Sequence, residues 1–128
     1  MNFILDTSAI LAAILSEPGG ESVTDNLDGS AVSTVIIAEV YTFANRNAHP
    51  IAPYAAFFDS EKIEIVPLTS GTAIAAGKMV TVTRSVGLSL GDRCCLALAH
   101  ERQAAVLTAD RPWGQFAEAL GIDIQVIR

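Results

Sequence analysis

The sequence predicts an α/β protein built on a mostly parallel sheet with helices on both faces. Short apolar runs alternate with helix-like segments along the whole chain, which is typical of strands joined by crossover helices. The runs are mostly continuous and apolar, as expected of strands covered on both faces. A chain of 128 residues has the usual length of one domain, so we expect a single domain over residues 1–128.

The predicted strands share a high apolar content and are followed by polar or turn-forming residues. Phe3-Ile4-Leu5 is the clearest example, because the run ends directly at Asp6-Thr7-Ser8. Residues 63–66 instead alternate apolar and polar side chains. The five predicted strands are residues 3–5, 31–32, 63–66, 104–108 and 122–127.

Helix boundaries are predicted from capping and breaking residues. Ser8 is expected to cap the first helix, and Pro18-Gly19-Gly20 to end it. Ser70 or Thr72 opens a later helix, although β-branched residues at 80–83 disfavour its second half. The seven predicted helices span residues 9–16, 20–27, 35–47, 52–59, 70–86, 92–102 and 113–120.

The composition excludes several classes of protein. A net charge of −6 argues against nucleic-acid binding driven by charge over the whole surface, but it allows a nucleic-acid enzyme whose clustered acids are neutralised by metal ions. No apolar run reaches the roughly 18 residues of a membrane span, and no signal-peptide pattern opens the chain, so we expect a cytoplasmic protein. Cys94 and Cys95 are adjacent, which argues against a disulfide or a zinc site and for buried thiols.

Four carboxylates fall where an open α/β sheet binds ligands, beyond the carboxyl ends of its strands. Asp6 and Asp110 each follow a predicted strand, and Asp92 opens a helix after a glycine-containing loop. Glu39 lies in the first turns of a helix, among apolar neighbours. Each acid taken singly also has a structural explanation. Asp6 and Asp92 could be helix caps, and Asp110 could be a turn residue. Glu39 could be a salt-bridged or surface residue.

Taken together, the four acids predict a metal site. Carboxylates that face one point repel each other and raise one another's pKa, and a divalent cation removes that conflict. Oxygen ligands without a cluster of cysteine or histidine favour Mg²⁺ or Mn²⁺ over zinc.

The segments around the four acids resemble the motifs of PIN-domain nucleases, and more closely those of VapC-type toxins from prokaryotic toxin–antitoxin pairs. The resemblance covers almost the whole chain, and the motifs occur in the same order. The four segments are residues 3–9, 33–40, 88–99 and 106–113.

This resemblance implies a PIN domain, which is a three-layer α/β/α fold with a central five-stranded Rossmann-like sheet. It also implies a Mg²⁺-dependent endoribonuclease in which Mn²⁺ can substitute. The residues that match the family's acidic quartet are Asp6, Glu39, Asp92 and Asp110. The residues that match hydroxyls supporting those acids are Thr7, Ser8 and Thr108.

The mechanism expected of such a site is in-line attack of a metal-activated water on an RNA phosphodiester. Asp6, Asp92 and Asp110 would be the main metal ligands. Glu39 would bind the metal directly or through water, or would help to deprotonate the nucleophile. Residues 111–114 carry no further acid, although some relatives have one there, so the number of metal ions stays open.

Two arginines beside these acids are candidates for contacting substrate phosphates. Arg93 follows Asp92, and Arg111 follows Asp110. The alternative is that both arginines are surface residues or pair with nearby acids. We expect Trp113 to be a core or interface residue rather than a base-stacking one.

The resemblance further implies a cognate antitoxin protein and a homodimer. Such antitoxins often lay a helix in a hydrophobic groove. We expect Phe43 to share an apolar helix face with Ile36 and Val40. This helix and the Tyr54-Phe57-Phe58 segment would form that groove, or would make core and dimer contacts, which is the interpretation we prefer.

Three other functions are alternatives to this interpretation. The main alternative is a catalytically silent PIN-like module that binds RNA or protein. A phosphatase with an aspartate nucleophile usually has a second acid two residues later, where this chain has Ser8. No Gly-x-Gly-x-x-Gly motif follows the first strand, which argues against dinucleotide binding.

Overall fold

A computed structural model describes residues 2–128, and it contains a five-stranded sheet in which every strand pair is parallel. The strand order is β3-β2-β1-β4-β5. The predicted α/β class and parallel sheet are thereby confirmed. The strands are β1 (Phe3–Leu5), β2 (Ser30–Ser33), β3 (Ile63–Val66), β4 (Ala105–Thr108) and β5 (Ile124–Val126).

The strand order locates the position at which a ligand site is expected. The chain runs from β1 outward to β3, and then returns to place β4 and β5 on the other side of β1. The direction of winding therefore reverses between β1 and β4, and open α/β sheets bind ligands at such a switch point, beyond the carboxyl ends of the strands. Asp6 follows β1 and Asp110 lies two residues beyond β4.

Eight α-helices and one 3₁₀ helix connect the strands in residues 2–128. The 3₁₀ helix spans Arg111–Phe116. The α-helices are α1 (Thr7–Ile14), α2 (Gly20–Asp25), α3 (Thr34–Arg46), α4 (Ala52–Phe58), α5 (Ser70–Lys78), α6 (Val80–Thr83), α7 (Leu90–Arg102) and α8 (Ala117–Leu120).

The core lies between β1, β4 and the helices α1, α3 and α7. Leu5, Ile10 and Cys95 are fully buried in it, and Trp113 is fully buried as well. The core role predicted for Trp113 is therefore confirmed. Because α7 carries seven buried residues, it forms a rigid base for the loop that precedes it.

Several boundaries differ from the prediction. The helix expected over 70–86 is interrupted at Met79 and ends at Thr83. The hydroxyls of Thr81 and Thr83 donate to the carbonyls of Lys78 and Met79, which is how such side chains weaken and bend a helix. Residues 111–116 form a 3₁₀ helix rather than the start of an α-helix.

Two differences concern residues near the predicted site. Asp6, not Ser8, caps α1, and the helix begins at Thr7. On α3 the buried face consists of Ile36, Val40 and Ala44, so the prediction that Phe43 shares that face was wrong. A shift of one residue turns a side chain by about 100° around a helix.

Gly20 is a position where packing forbids a side chain. A Cβ on Gly20 would overlap the carbonyl oxygen of Ala12 in the neighbouring helix α1. We expect Gly20→Ala to lower the free energy of unfolding by roughly 1–3 kcal/mol, because backbone atoms would have to move. Gly77→Ala, in α5 with no atom near its Cβ, should instead stabilise by about 0.5–1 kcal/mol. Urea unfolding of both variants measures the two changes in the free energy of unfolding. Equal changes for Gly20→Ala and Gly77→Ala would contradict this account.

No helix formed by residues 2–128 is long and apolar enough to cross a membrane.

Candidate active site

Asp6 is the centre of the site and is almost completely buried, with 2% of its surface exposed. Its Oδ1 accepts a hydrogen bond from the backbone N–H of Ala9 at 2.9 Å, which caps α1. The hydroxyl of Ser8 donates to the same carboxylate at 2.9 Å, and the hydroxyl of Thr108 donates to Oδ2 at 2.9 Å. The carboxylate is thus held in one orientation at the end of β1.

Burial raises the pKa of Asp6 from 3.8 to about 7. The hydrogen bonds from Ala9, Thr108 and Ser8 oppose this rise, and the negative charge of Asp92 adds to it. A chain that places a carboxylate in such an environment loses stability when the group ionises. A positive charge bound beside Asp6 would remove that penalty.

Ser8 and Thr108 also tie the two strand ends together. The Ser8 hydroxyl accepts from the backbone N–H of Ala109 at 2.8 Å, and the Thr108 hydroxyl accepts from that of Asp110 at 3.0 Å. The two hydroxyl oxygens are 3.3 Å apart. This small network fixes the position of Asp6 relative to the backbone that carries Asp110.

Thr108→Val should destabilise the protein by about 1–3 kcal/mol near pH 8, because it removes a donor to the buried Asp6 and the acceptor of the half-buried Asp110 N–H group. The loss should be smaller near pH 5, where the buried Asp6 is protonated and needs that donor less. Thr83→Val is the matched control, since its buried hydroxyl donates only to the Met79 carbonyl. Chemical unfolding at both pH values measures the difference, and a loss from Thr108→Val that does not change with pH would contradict this account.

Glu39 lies on α3 and faces the start of α7. Thr7 donates a hydrogen bond to its Oε1 at 2.9 Å, and Ser89 donates to its Oε2 at 3.4 Å. Gly91 packs directly against this carboxylate, because a Cβ on Gly91 would overlap all three carboxyl atoms of Glu39. Two hydroxyls and one glycine therefore position Glu39.

Asp92 is used as a helix cap in this structure. Its Oδ2 accepts from the backbone N–H of Ser89 at 3.0 Å, and its own N–H donates to the Ser89 hydroxyl at 3.1 Å, which makes a capping box. Burial raises the pKa of Asp92, the hydrogen bonds with Ser89 lower it, and the charge of Asp110 raises it further.

The four acids are connected by a chain of electrostatic interactions. Asp6 is affected by the charge of Asp92, and Asp92 by that of Asp110. The pKa of the fully buried Cys95 thiol is raised well above its usual value, first by burial and then by the charges of Asp6, Asp92 and Glu39. Within residues 2–128, no three His, Cys, Asp or Glu side chains stand as a ready group of metal ligands.

The chemistry of these donors nevertheless fits a hard divalent cation. The side-chain atoms that converge here are carboxylate and hydroxyl oxygens, the ligands preferred by Mg²⁺ and Mn²⁺. The charge of Asp92 raises the pKa of Asp6, and that of Asp110 raises the pKa of Asp92, so a cation bound near these acids would lower their repulsion. Asp92 caps its own helix through Oδ2, as Asp6 caps α1 through Oδ1, and a cap of this kind does not by itself prevent a carboxylate from binding a metal ion.

The two arginines predicted to contact substrate are held elsewhere. Arg93 donates to the carbonyl oxygen of Ala76 at 3.0 Å, on α5. Arg111 donates to the carbonyl oxygen of Arg128 at 2.9 Å. Arg111 is exposed, as the alternative interpretation expects of a surface residue, and both hydrogen bonds are made to backbone carbonyls and not to acids.

Beside Glu39 and Asp92 is an open cleft of about 470 Å³. One face of α3 supplies most of its wall. The residues that line the cleft are Thr7, Ala38, Glu39, Thr42, Phe43, Arg46 and Asp92. Sequence reasoning missed Arg46 as a cleft residue, although its spacing of seven from Glu39 places both on the same side of the helix.

The sequence profile of the PIN domain matches residues 3–119, so this chain belongs to the PIN domain family. This match confirms the family resemblance predicted from the four motifs. No curated protein matches the chain significantly.

Solved structures with the same fold come from toxin–antitoxin complexes and toxins. A chain of the DNA-bound VapBC from Salmonella typhimurium has 20% identity and a TM-score of 0.76, with 100% of this chain and 99% of that one covered. VapBC2 from Rickettsia felis, bound to a fragment of its promoter, has 18% identity, a TM-score of 0.73 and full coverage of both chains. VapC20 of Mycobacterium tuberculosis, described as a toxin that cleaves the sarcin–ricin loop, has 18% identity, a TM-score of 0.69 and coverage of 91% and 94%. At these identities the likeness establishes a common fold.

Proposed function

We propose that this chain is an endoribonuclease that hydrolyses RNA phosphodiester bonds with Mg²⁺, with Mn²⁺ able to substitute. The observation that carries the proposal is the buried carboxylate of Asp6, which lies at the switch point of a PIN domain sheet. Its pKa is about 7, so a bound cation would offset the free-energy cost of ionising it. The negative charge of Asp92 acts on Asp6, and that of Asp110 acts on Asp92.

Asp6, Asp92 and Asp110 would hold the metal, and Glu39 would complete the site directly, through water, or as a base for the attacking water. A divalent ion bound there supplies activation of that water and offsets charge on the phosphate and the leaving oxygen. Asp92 can take this role while it caps α7, because the capping hydrogen bond from Ser89 uses Oδ2 and leaves Oδ1 to approach an ion.

The chain's hydroxyls keep the acids in place. Ser8 and Thr108 hold the Asp6 carboxylate from two sides, so that it does not rotate when substrate arrives. Thr7 holds Glu39 in the same way. Fixed ligands cost no reorganisation at the moment of reaction, which is the main contribution that a protein makes to such a site.

We further propose that the chain is the toxin of a type II toxin–antitoxin pair, acts in the cytoplasm, forms a homodimer and binds a cognate antitoxin. The likeness of fold to chains from VapBC complexes supports this part of the proposal. A ribonuclease in the cytoplasm must be restrained, and a bound partner protein is the simplest means of restraint.

The test is cleavage of total RNA by the purified chain, free of any partner, with Mg²⁺, with Mn²⁺ and with EDTA. Asp6→Asn and Thr83→Val are assayed beside it; the second alters a buried residue of α6 outside the site. We expect metal-dependent cleavage by the parent and by Thr83→Val, and none by Asp6→Asn. Intact RNA in every lane would favour the catalytically silent binding module, and equal cleavage by Asp6→Asn would place the active site elsewhere.

A further inference from the structure

The wall of the cleft continues along α3 beyond the acids. Glu39, Thr42, Phe43 and Arg46 follow one another at spacings of three and one, so all four lie on a single side of the helix. The distance from Glu39 to Arg46 along the axis is about 10 Å.

Phe43 presents an aromatic ring to this cleft without belonging to the hydrophobic core. It is half-buried, and it lies outside the core cluster that contains its neighbours on α3. Its ring meets that of His49 edge to face, with centroids 5.7 Å apart. His49 is in turn fixed by a 2.7 Å hydrogen bond between its Nδ1 and the hydroxyl of Tyr54, which is fully buried.

Arg46 is a free cation at the end of the same face. Its side chain is exposed, and within residues 2–128 its guanidinium makes no hydrogen bond or ion pair. By contrast Arg93, Arg102 and Arg128 are each committed to a carbonyl or a carboxylate. A guanidinium without a partner in the chain has its donors available to a phosphate oxygen.

An aromatic ring and a guanidinium along one cleft match one nucleotide unit, with its base and its phosphate. Stacking on an aromatic ring needs an unpaired base, which single-stranded or looped RNA provides and a duplex does not. A hydrophobic peptide helix would use Phe43 but would leave Arg46 without a partner.

From this juxtaposition we propose that α3 forms a nucleotide subsite in which Phe43 stacks on an unpaired base and Arg46 binds the adjoining backbone phosphate of a single-stranded RNA. The proposal rests on the ribonuclease function proposed above and deepens it. Phe43 and Arg46 are positioning residues: they hold the strand so that its next phosphate lies over the acids.

The experiment measures binding of a fluorescein-labelled, 2′-O-methylated single-stranded RNA of about 12 nucleotides. Fluorescence anisotropy is recorded with Ca²⁺ in place of Mg²⁺, for the parent, Arg46→Ala, Phe43→Leu and Arg84→Ala. Arg84 is the matched control, because it is exposed and does not line the cleft. Circular dichroism verifies that each variant is folded.

We expect Arg46→Ala and Phe43→Leu each to raise Kd about five- to tenfold, and Arg84→Ala to have little effect. The slope of log Kd against log salt should fall by about 0.7 for Arg46→Ala only, because one phosphate contact is lost. With cleavable RNA and Mg²⁺, both cleft variants should raise KM more than they lower kcat.

Unchanged Kd and KM for both cleft variants, with a parent that still cleaves RNA, would overturn the subsite and leave the nuclease function standing. That result would leave this face of α3 to a protein partner. A parent that neither binds nor cleaves RNA would overturn the subsite and the proposed function together.

Discussion

Asp6→Asn is expected to abolish RNA cleavage while making the metal-free protein more stable at neutral and alkaline pH. Loss of a direct metal ligand should lower the rate by more than about 100-fold, since even groups that only support ligands are worth 10- to 100-fold. Removal of the buried charge should raise the free energy of unfolding by roughly 2–4 kcal/mol near pH 8.

The pH dependence of this gain follows from the raised pKa of Asp6. Below about pH 3.8 the group is protonated in both states and costs nothing. Between 3.8 and about 7 the unfolded chain loses the proton and the folded chain keeps it, so stability falls as pH rises. The gain from Asp6→Asn should therefore be about 1 kcal/mol or less near pH 4.5 and complete above pH 7.

Urea unfolding of the parent and Asp6→Asn, in EDTA across this pH range, measures the gain directly. A second series with Mg²⁺ is the control. Saturating Mg²⁺ should stabilise the parent by up to about 3 kcal/mol and leave Asp6→Asn unchanged. A variant that is less stable than the parent at every pH would mean that Asp6 serves only as the cap of α1.

Gly91→Ala is expected to separate activity from stability. The new methyl group would occupy the place of the Glu39 carboxylate, which is the mobile end of a side chain and can move away. Alanine is also a better helix residue than glycine by about 1 kcal/mol, so the fold of α7 should be kept or strengthened. The displaced Glu39 would lose its contact with Thr7, and cleavage should fall by about 10- to 100-fold.

Gly77→Ala is the control for this substitution, because it makes the same change in a helix where the methyl group meets nothing. Cleavage assays and thermal unfolding are run in parallel on both variants. Gly91→Ala with full activity would show that the position of Glu39 is unimportant. Loss of activity in both variants would assign the effect to helix α5 or α7 as a whole.

The framework of the fold was predictable from the sequence because its signals are local. Phe3-Ile4-Leu5 and Val106-Leu107 are continuous apolar runs, and each leads into an acid within a few residues. A parallel sheet buries such runs on both faces, so composition alone reveals them. The positions of Asp6 and Asp110 at the switch point then follow from the topology.

Features that depend on distant partners were not predictable. The hydrogen bond of Arg93 is made to Ala76, a residue of another helix, and nothing local indicates it. Asp92 has an observed use as the cap of α7 and a proposed use as a ligand, and its sequence position is suited to both. A pattern of residues does not encode which carboxylate oxygen makes the capping hydrogen bond, which here is Oδ2.

The cleft face of α3 was not predicted, for a third reason. The periodicity of the helix was recognised, but its buried face was placed one residue away, on Phe43 instead of Ala44. With Phe43 assigned to the core face, the sequence does not indicate that Phe43 and Arg46 lie on the same side of the helix as Glu39. Apolar residues on a helix do not by themselves tell a core face from a cleft.

The most direct test of the central claim is a crystal structure of the chain grown with Mn²⁺ and measured at the manganese absorption edge. We expect an anomalous peak in contact with Asp6, Asp92 and Asp110, with Glu39 bound directly or through a water molecule. Asp6→Asn treated in the same way should show no peak there. Manganese located only on the outer surface, with Asp6 still enclosed by Ser8 and Thr108 and no ion beside it, would contradict the metal site and the ribonuclease function proposed from it.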